Sequence, residues 1–398
     1  MELRPGRPQA LVDSADGVVV TGAPPRARVG IEAHLELGGQ AWTCTGEYAA
    51  DQDGMVDTAR DPSSGGTYLG VDPFGLFWSA DLAAPFEPSV LRPMRVTLRA
   101  SCDDQTAQAA YTRALLGRGV TESDVRDQGV VGRLFLPDDA GDAPAAVLLA
   151  GSGGGVGDPV TGALLAGHGV AALCLAHWNF PGLPDDMHEI DVETVGAACD
   201  WLRAQPGVRD ASPTVIGSSR GGELALLAGA LLPERVGDVV SQVGSGLPWG
   251  AFGPDVDVND PAWLFGGEPV AKIPEDPDDP LAALDDPELV AAAEIAIEKA
   301  PGRVLLLSGE DDRMWPSSRL SEYAAERARR LDVADRVVHV AYPDAGHLAC
   351  VPPGFPTVTE VVHPVDGSFN LFGGTRRGNQ DARLDAWRRL LEITSARR

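Results

Sequence analysis

The sequence predicts an α/β protein: a mostly parallel sheet with helices on both faces, preceded by a smaller all-β domain. Three observations carry this expectation. Beyond about residue 116, short apolar runs alternate with segments of helical spacing, the pattern of strand–helix–strand units. Two of the runs, 145–150 and 170–175, are apolar at every position, as parallel strands buried on both faces should be. Before residue 116, alternating runs are separated by glycine, proline and Asp51-Gln52-Asp53-Gly54, which describes a β-sandwich.

In chain order, 17–22, 28–37, 41–46 and 94–99 read as strands of the first domain, residues 1–115. Gly75-Leu76-Phe77-Trp78 would pin its core or its contact with the next domain, and the absence of a titratable cluster suggests a structural role. In the second domain, 116–398, strands are expected at 130–136, 145–150, 170–175, 213–216, 236–243, 303–307 and 336–341. Helical spacing covers 192–202, 223–232 and 318–331, and an amphipathic helix at 381–394 carries Leu384, Trp387, Leu390 and Leu391. Residues 251–300 break the rhythm with Asp-Pro repeats and an acidic helix, read as a surface insertion near the site.

A chain of 398 residues with 44% hydrophobic content can bury a sizeable core. It has no run of eighteen apolar residues and no apolar leader after Met1, so a cytoplasmic protein without a membrane span is expected. The five cysteines are scattered, odd in number and without metal-ligand spacing, which favours small buried hydrophobes over a disulfide framework. The net charge is −26, and Lys272 and Lys299 are the only lysines. Such a surface repels nucleic acid and anionic membrane. It also suits a salt-loaded cytoplasm, as in halophilic microbes, where screening suppresses self-repulsion; a merely acidic protein is the alternative.

The chemistry centres on Gly217-Ser218-Ser219-Arg220-Gly221. With 47 glycines in the chain, the motif means little without its context. Here it follows an apolar strand and opens a helix, so Ser219 would sit on a sharp turn with its Oγ clear of the sheet. A serine hydroxyl needs a base in reach and an acid to orient that base. The acid should follow a buried strand, where Glu310, Asp311 and Asp312 stand in a row. Asp312 is preferred for its spacing from Gly309 and Trp315, with Asp311 as the fallback. The base is His347, on a Gly-His turn after the last strand; His177, at another strand end, reads better as a pocket residue.

The oxyanion of an acyl-transfer intermediate needs donors as well. The backbone N–H of Arg220, at a helix N-terminus, is one candidate. Gly151-Ser152-Gly153-Gly154-Gly155 follows a buried strand and offers the N–H groups of Ser152 and Gly153. A phosphate-binding loop is the competing reading of that segment, but no Gly-Lys-Ser/Thr follows it.

Taken together, these segments resemble the acyl-CoA thioesterase and bile acid-CoA:amino acid N-acyltransferase family. The resemblance runs through Leu11-Val12-Asp13, 65–70, Gly75–Trp78, the glycine-rich loop, His177-Trp178-Asn179-Phe180 with Leu183-Pro184, the 217–223 turn, 309–315, Gly346-His347, Phe372-Gly373-Gly374 and Asp385-Ala386-Trp387. It implies an α/β-hydrolase domain preceded by an immunoglobulin-like β-sandwich domain, acting on a small-molecule acyl thioester, acyl-CoA, without metal or cofactor. The amino-acid acyltransferases of the family carry cysteine at the elbow, whereas Ser219 matches the thioesterase branch and favours hydrolysis. Departures from the family pattern are Ser218, Arg220 and the acidic 251–300 segment.

Arg220, Arg313, Arg376 and Arg377 are candidates for CoA phosphates, each also readable as a solvated surface arginine. The protein would act as a monomer or small homo-oligomer. Two further readings stay open: a carboxylesterase or dienelactone-hydrolase-like enzyme that never meets CoA, and a non-catalytic protein that binds partners through its sandwich domain.

Overall fold

The computed structural model describes residues 1–7, 9–80, 91–138, 141–276, 278–362 and 369–395. They form two units. The first comprises Met1–Arg118 together with Pro352–Val358, and the second Gly119–Val351 with Thr359–Arg398. A single boundary at 115/116 therefore misses the return of 352–358 to the first unit.

The first unit is built from two β-sheets. Gly65–Gly66, Gln40–Ala49, Arg28–Leu37, Met94–Cys102 and Gln105–Arg113 pair in that order, and Glu2–Pro5, Val18–Thr21 and Val56–Asp57 form the second sheet. Along Arg28–Leu37, Val29, Ile31, Ala33, Leu35 and Leu37 are buried while Glu32, His34 and Glu36 are exposed. That two-residue period is what a sandwich strand requires. Gly75–Trp78 is one helical turn with every side chain buried, and the Trp78 indole N–H donates to Asp72 Oδ2 at 2.9 Å.

The second unit is organised on an eight-stranded sheet. Its strands are β1 (Val120–Asp127), β2 (Val130–Pro137), β3 (Ala145–Leu149), β4 (Ala171–Leu175), β5 (Thr214–Ser218), β6 (Val239–Gln242), β7 (Val304–Gly309) and β8 (Val337–Tyr342). They lie in the order β1-β2-β4-β3-β5-β6-β7-β8, with β2 antiparallel to both neighbours and parallel pairing from β4 through β8. This is an α/β-hydrolase sheet. The main helices are α1 (Pro159–Gly167), α2 (Glu193–Arg203), α3 (Arg220–Leu231), α4 (Ser317–Arg330) and α5 (Arg376–Ser395).

Every residue of β3 and β4 is buried, which explains their unbroken apolar sequence. Register sets Leu149 beside Gly217, Ser218 beside Gln242, Gln242 beside Leu307 and Gly309 beside Tyr342. The carboxyl ends of five strands thus reach one edge, where ligands bind in open α/β sheets.

Residues 251–300 are not a surface insertion. Trp263–Phe265 pairs in parallel with Ile190–Asp191, and Ala262, Trp263, Ile295, Ile297 and Ala300 belong to the unit's main core. Ile273, Leu284, Val290 and Ala293 join Leu247, Trp249 and Leu320 in a second core. The acidic helix is short, Pro287–Ala293, capped by Asp286. Most of the aspartates lie outward and conceal from the sequence how much apolar surface the segment buries. All five cysteines are buried. Among the described residues, no helix is long and apolar enough to cross a membrane.

Candidate active site

Ser219 stands between β5 and α3 with φ at +56°, a conformation that L-residues adopt only when their surroundings impose it. The surroundings are explicit. A Cβ on Gly217 would sit 1.8 Å from the Gly221 carbonyl oxygen, and one on Gly221 would sit 2.4 Å from that of Ala150. Only glycine allows strand, turn and helix to pack this closely. The Ser219 N–H donates to the Gln242 carbonyl at 2.8 Å, and its own carbonyl accepts from the Gly222 N–H at 2.8 Å. The turn is therefore fixed on both sides of the serine.

Asp312 follows β7 by three residues and His347 follows β8 by five. The His347 Nδ1–H donates to Asp312 Oδ2 at 2.8 Å. The Asp312 side chain is fully buried and that of His347 is 8% exposed, so solvent competes little for this bond. Asp312 Oδ1 also accepts the N–H groups of Met314 at 3.0 Å and Trp315 at 3.3 Å, while Oδ2 accepts the Ser317 hydroxyl at 2.6 Å. Four donors converge on one carboxylate, which holds its orientation.

Asp311, the fallback acid, turns the other way. It pairs with Arg313 at 2.9 Å and accepts the Gly374 N–H at 3.0 Å, and Arg313 holds its carboxyl below the ordinary value. Two residues at this site receive no role from the sequence. Ser317 steadies Asp312, and the Phe372 ring stacks on His347 at 5.8 Å while its carbonyl accepts the His347 N–H. The Phe372-Gly373-Gly374 segment was the available hint.

The glycine-rich loop lies against Ser219. A Cβ on Gly151 would meet the Ser218 carbonyl oxygen at 2.8 Å and Ser219 Cβ at 3.2 Å. Ser152 and Gly153 follow in a turn closed by Gly154 N–H to Gly151 O at 3.1 Å. The loop is pinned from the other side by Gly155 N–H to Trp178 O at 3.0 Å and by the Asn179 amide to Gly153 O at 3.2 Å. Arg220 is the first residue of α3, so its backbone N–H has no carbonyl four residues earlier to meet. The Arg220 side chain is buried and cannot contact a CoA phosphate. Arg313 and Arg377 are exposed and paired with Asp311 and Asp381.

Two other histidines merit comparison with His347. His177 is buried beside Trp263, ring centres 6.2 Å apart, and neither ring nitrogen has a hydrogen-bond partner. Burial pushes its pKa down to about 4, so it is neutral at pH 7. His339 forms a chain that imitates a triad, with Ser308 Oγ 2.8 Å from Nε2 and Glu322 2.7 Å from Nδ1. Ser308, however, lies within β7 and is fully buried, out of reach of any substrate.

The family description "Acyl-CoA thioester hydrolase/BAAT N-terminal region" matches residues 13–127, and "BAAT / Acyl-CoA thioester hydrolase C terminal" matches residues 190–395. Among curated relatives, "Acyl-coenzyme A thioesterase 2, mitochondrial" of Rattus norvegicus is 31% identical over 403 residues, covering 98% of this chain and 87% of its own. "Acyl-coenzyme A thioesterase 1" of Homo sapiens is 31% identical over 392 residues, covering 94% of this chain and 91% of its own. Among solved structures, a dienelactone hydrolase from Anabaena variabilis aligns with 58% of this chain and 89% of its own, at 20% identity and a TM-score of 0.37. With both family descriptions matching in order and the relatives aligned over nearly its full length, this chain belongs to the acyl-CoA thioester hydrolase/BAAT family.

Proposed function

We propose that this protein hydrolyses acyl-CoA thioesters to free acid and CoA through a serine acyl-enzyme. The observation that carries the reading is the buried 2.8 Å bond between His347 Nδ1 and Asp312, at the sheet edge where a positive-φ serine stands. With Nδ1–H engaged, His347 Nε2 is the nitrogen that takes the Ser219 proton as Oγ attacks the thioester carbonyl. The developing oxyanion is met by the N–H of Arg220 and by those of Ser152 or Gly153. Collapse breaks the carbon–sulfur bond, and the imidazolium returns its proton to the departing thiolate. Water, deprotonated by the same nitrogen, then releases the acid and restores the serine. An oxygen ester is the intermediate suited to water, which favours hydrolysis over transfer to an amino acid. The acyl-CoA relatives support CoA as the leaving group.

Ser219→Ala should lower acyl-CoA turnover by at least about a thousandfold and leave the thermal midpoint within a few degrees. A fluorophosphonate probe should label Ser219, read by mass spectrometry, and Ser308→Ala should label as the unmodified protein does. Wild-type turnover in Ser219→Ala would refute the mechanism. High activity on simple aryl esters with none on acyl-CoA would select the carboxylesterase reading instead. Absence of any labelling would select the non-catalytic binding reading.

A further inference from the structure

We propose that Glu223 is a positioning residue for the oxyanion site, acting through Arg220 on the backbone N–H that follows the nucleophile. The inference rests on the serine-hydrolase reading above, though not on the identity of the acyl donor.

Glu223 lies one turn into α3 and is completely buried. An unpaired carboxylate could not remain ionised there. Burial pushes its pKa up, and the strongest opposing influence is the charge of Arg220. Glu223 Oε2 lies 3.0 Å from Arg220 Nε. Oε1 accepts the backbone N–H of Trp249 at 3.1 Å and also the indole N–H of Trp263. The guanidinium in turn donates to the carbonyls of Trp249 at 3.0 Å and Gly250 at 2.8 Å, and lies 5.8 Å from the centre of the Trp263 ring.

The residue next to Ser219 is thus held at both ends. Its backbone is fixed by the first turn of α3, and its side chain is fixed by a buried carboxylate and two carbonyls some thirty positions later in the chain. Oxyanion donors work because they are oriented before charge develops, and displacements well under 1 Å reduce their effect. A surface arginine at this position could rotate freely and constrain nothing. One indole, two carbonyls and a carboxylate around one buried guanidinium restrict its conformation. Buried ion pairs are in general poor sources of net stability compared with apolar packing. What this one supplies is fixed geometry at the atom beside the nucleophile.

The test follows phosphonylation of Ser219 by a fluorophosphonate, in which Ser219 Oγ bonds to phosphorus, fluoride leaves and the serine proton passes to His347. This readout uses the oxyanion donors but no CoA. Glu223→Gln keeps the shape and removes the charge; Trp263→Phe keeps the ion pair and removes one donor to Glu223. At temperatures where each variant is folded by circular dichroism, Glu223→Gln should lower the maximal inactivation rate by thirtyfold or more, with the inhibitor's half-saturating concentration changed less than threefold. Trp263→Phe should lower that rate three- to tenfold.

A purely structural role would shift the unfolding midpoint and leave the maximal rate at the wild-type value. Rates within twofold of wild type in either folded variant therefore overturn the proposal. If Glu223→Gln does not fold, Trp263→Phe decides the matter by the same criterion. Failure of wild-type protein to label at Ser219 would defeat the serine-hydrolase reading and this inference with it. Labelling with no acyl-CoA turnover would defeat only the choice of substrate.

Discussion

The His177 imidazole is a buried polar group with neither nitrogen satisfied, and that has a measurable consequence. In an unfolded chain an imidazole titrates near 6.5; here burial lowers it to about 4. Between those values the unfolded state holds a proton that the folded state lacks, so stability falls as the pH drops from about 6.5 toward 4. The difference amounts to about 3 kcal/mol at the acid end. His177→Phe removes this titration and replaces an orphaned polar ring with an apolar one of similar shape. Its stability at pH 7 should lie within about 1 kcal/mol of wild type, and it should exceed wild type increasingly below pH 6. Urea unfolding of both proteins from pH 4.5 to 7.5 isolates the effect, because other titrating groups cancel in the difference; parallel curves would exclude it. The position of His177 at a strand end is legible in the sequence, but the lack of a hydrogen-bond partner at either nitrogen is not. Asp312 is similar. Spacing separates it from Asp311 only weakly, and the hydrogen bonds that Ser317, Met314 and Trp315 give it are not legible in the sequence.

Among elements, the turn between β5 and α3 is the least tolerant. The atom nearest to a Cβ on Gly217 is the Gly221 carbonyl oxygen, at 1.8 Å, and backbone cannot move aside as a flexible side chain can. Gly217→Ala should cost more than about 3 kcal/mol and abolish fluorophosphonate labelling. Gly141→Ala, where a Cβ would meet nothing within 4 Å, should change stability by no more than about 0.5 kcal/mol. Chemical denaturation of the pair, with labelling at Ser219, checks both. The elements legible in the sequence are those whose burial shapes their composition. β3 and β4 are apolar throughout because both faces are covered, and α4 alternates because one face is.

β1 escapes notice because it lies at the edge of the sheet. Val125 is its one buried residue, so no period can emerge. Gln105–Arg113, at the edge of the five-stranded sheet, buries none of its apolar residues fully. α1 has no amphipathic period, since it is buried along nearly its whole length and shows no polar face. Its available signal was Asp158-Pro159, where the Asp158 side chain accepts the Val160 N–H at 2.9 Å and proline takes the first helical position. The Glu223 network had no such signal, because its partners lie up to forty residues away and meet only on folding.

For the whole molecule the governing quantity is the net charge of −26 carried by 58 acidic and 32 basic residues. Many of the arginines already serve local carboxylates. Arg327 binds Glu294 and Glu298, Arg388 binds Asp385 and Glu392, and Arg60 binds Asp51 and Asp61. Local pairing leaves the excess acid unopposed, and folding must confine that excess in a smaller volume than the unfolded chain occupies. The Debye length is about 30 Å at 0.01 M salt, about 10 Å at 0.1 M and about 3 Å at 1 M. Most of the repulsion between exposed carboxylates should therefore vanish between 0.01 and 1 M. Thermal unfolding in potassium chloride should show the midpoint rising by roughly 5–10 °C over that range, equivalent to a few kcal/mol, and flattening beyond it. The plateau separates charge screening from salting-out, which keeps strengthening as exclusion of the salt from the surface grows. A midpoint independent of salt, with full activity in dilute buffer, would mean that the acidic surface imposes no such demand on this fold. A midpoint still climbing steadily beyond 1 M would assign the effect to solvent exclusion and not to charge.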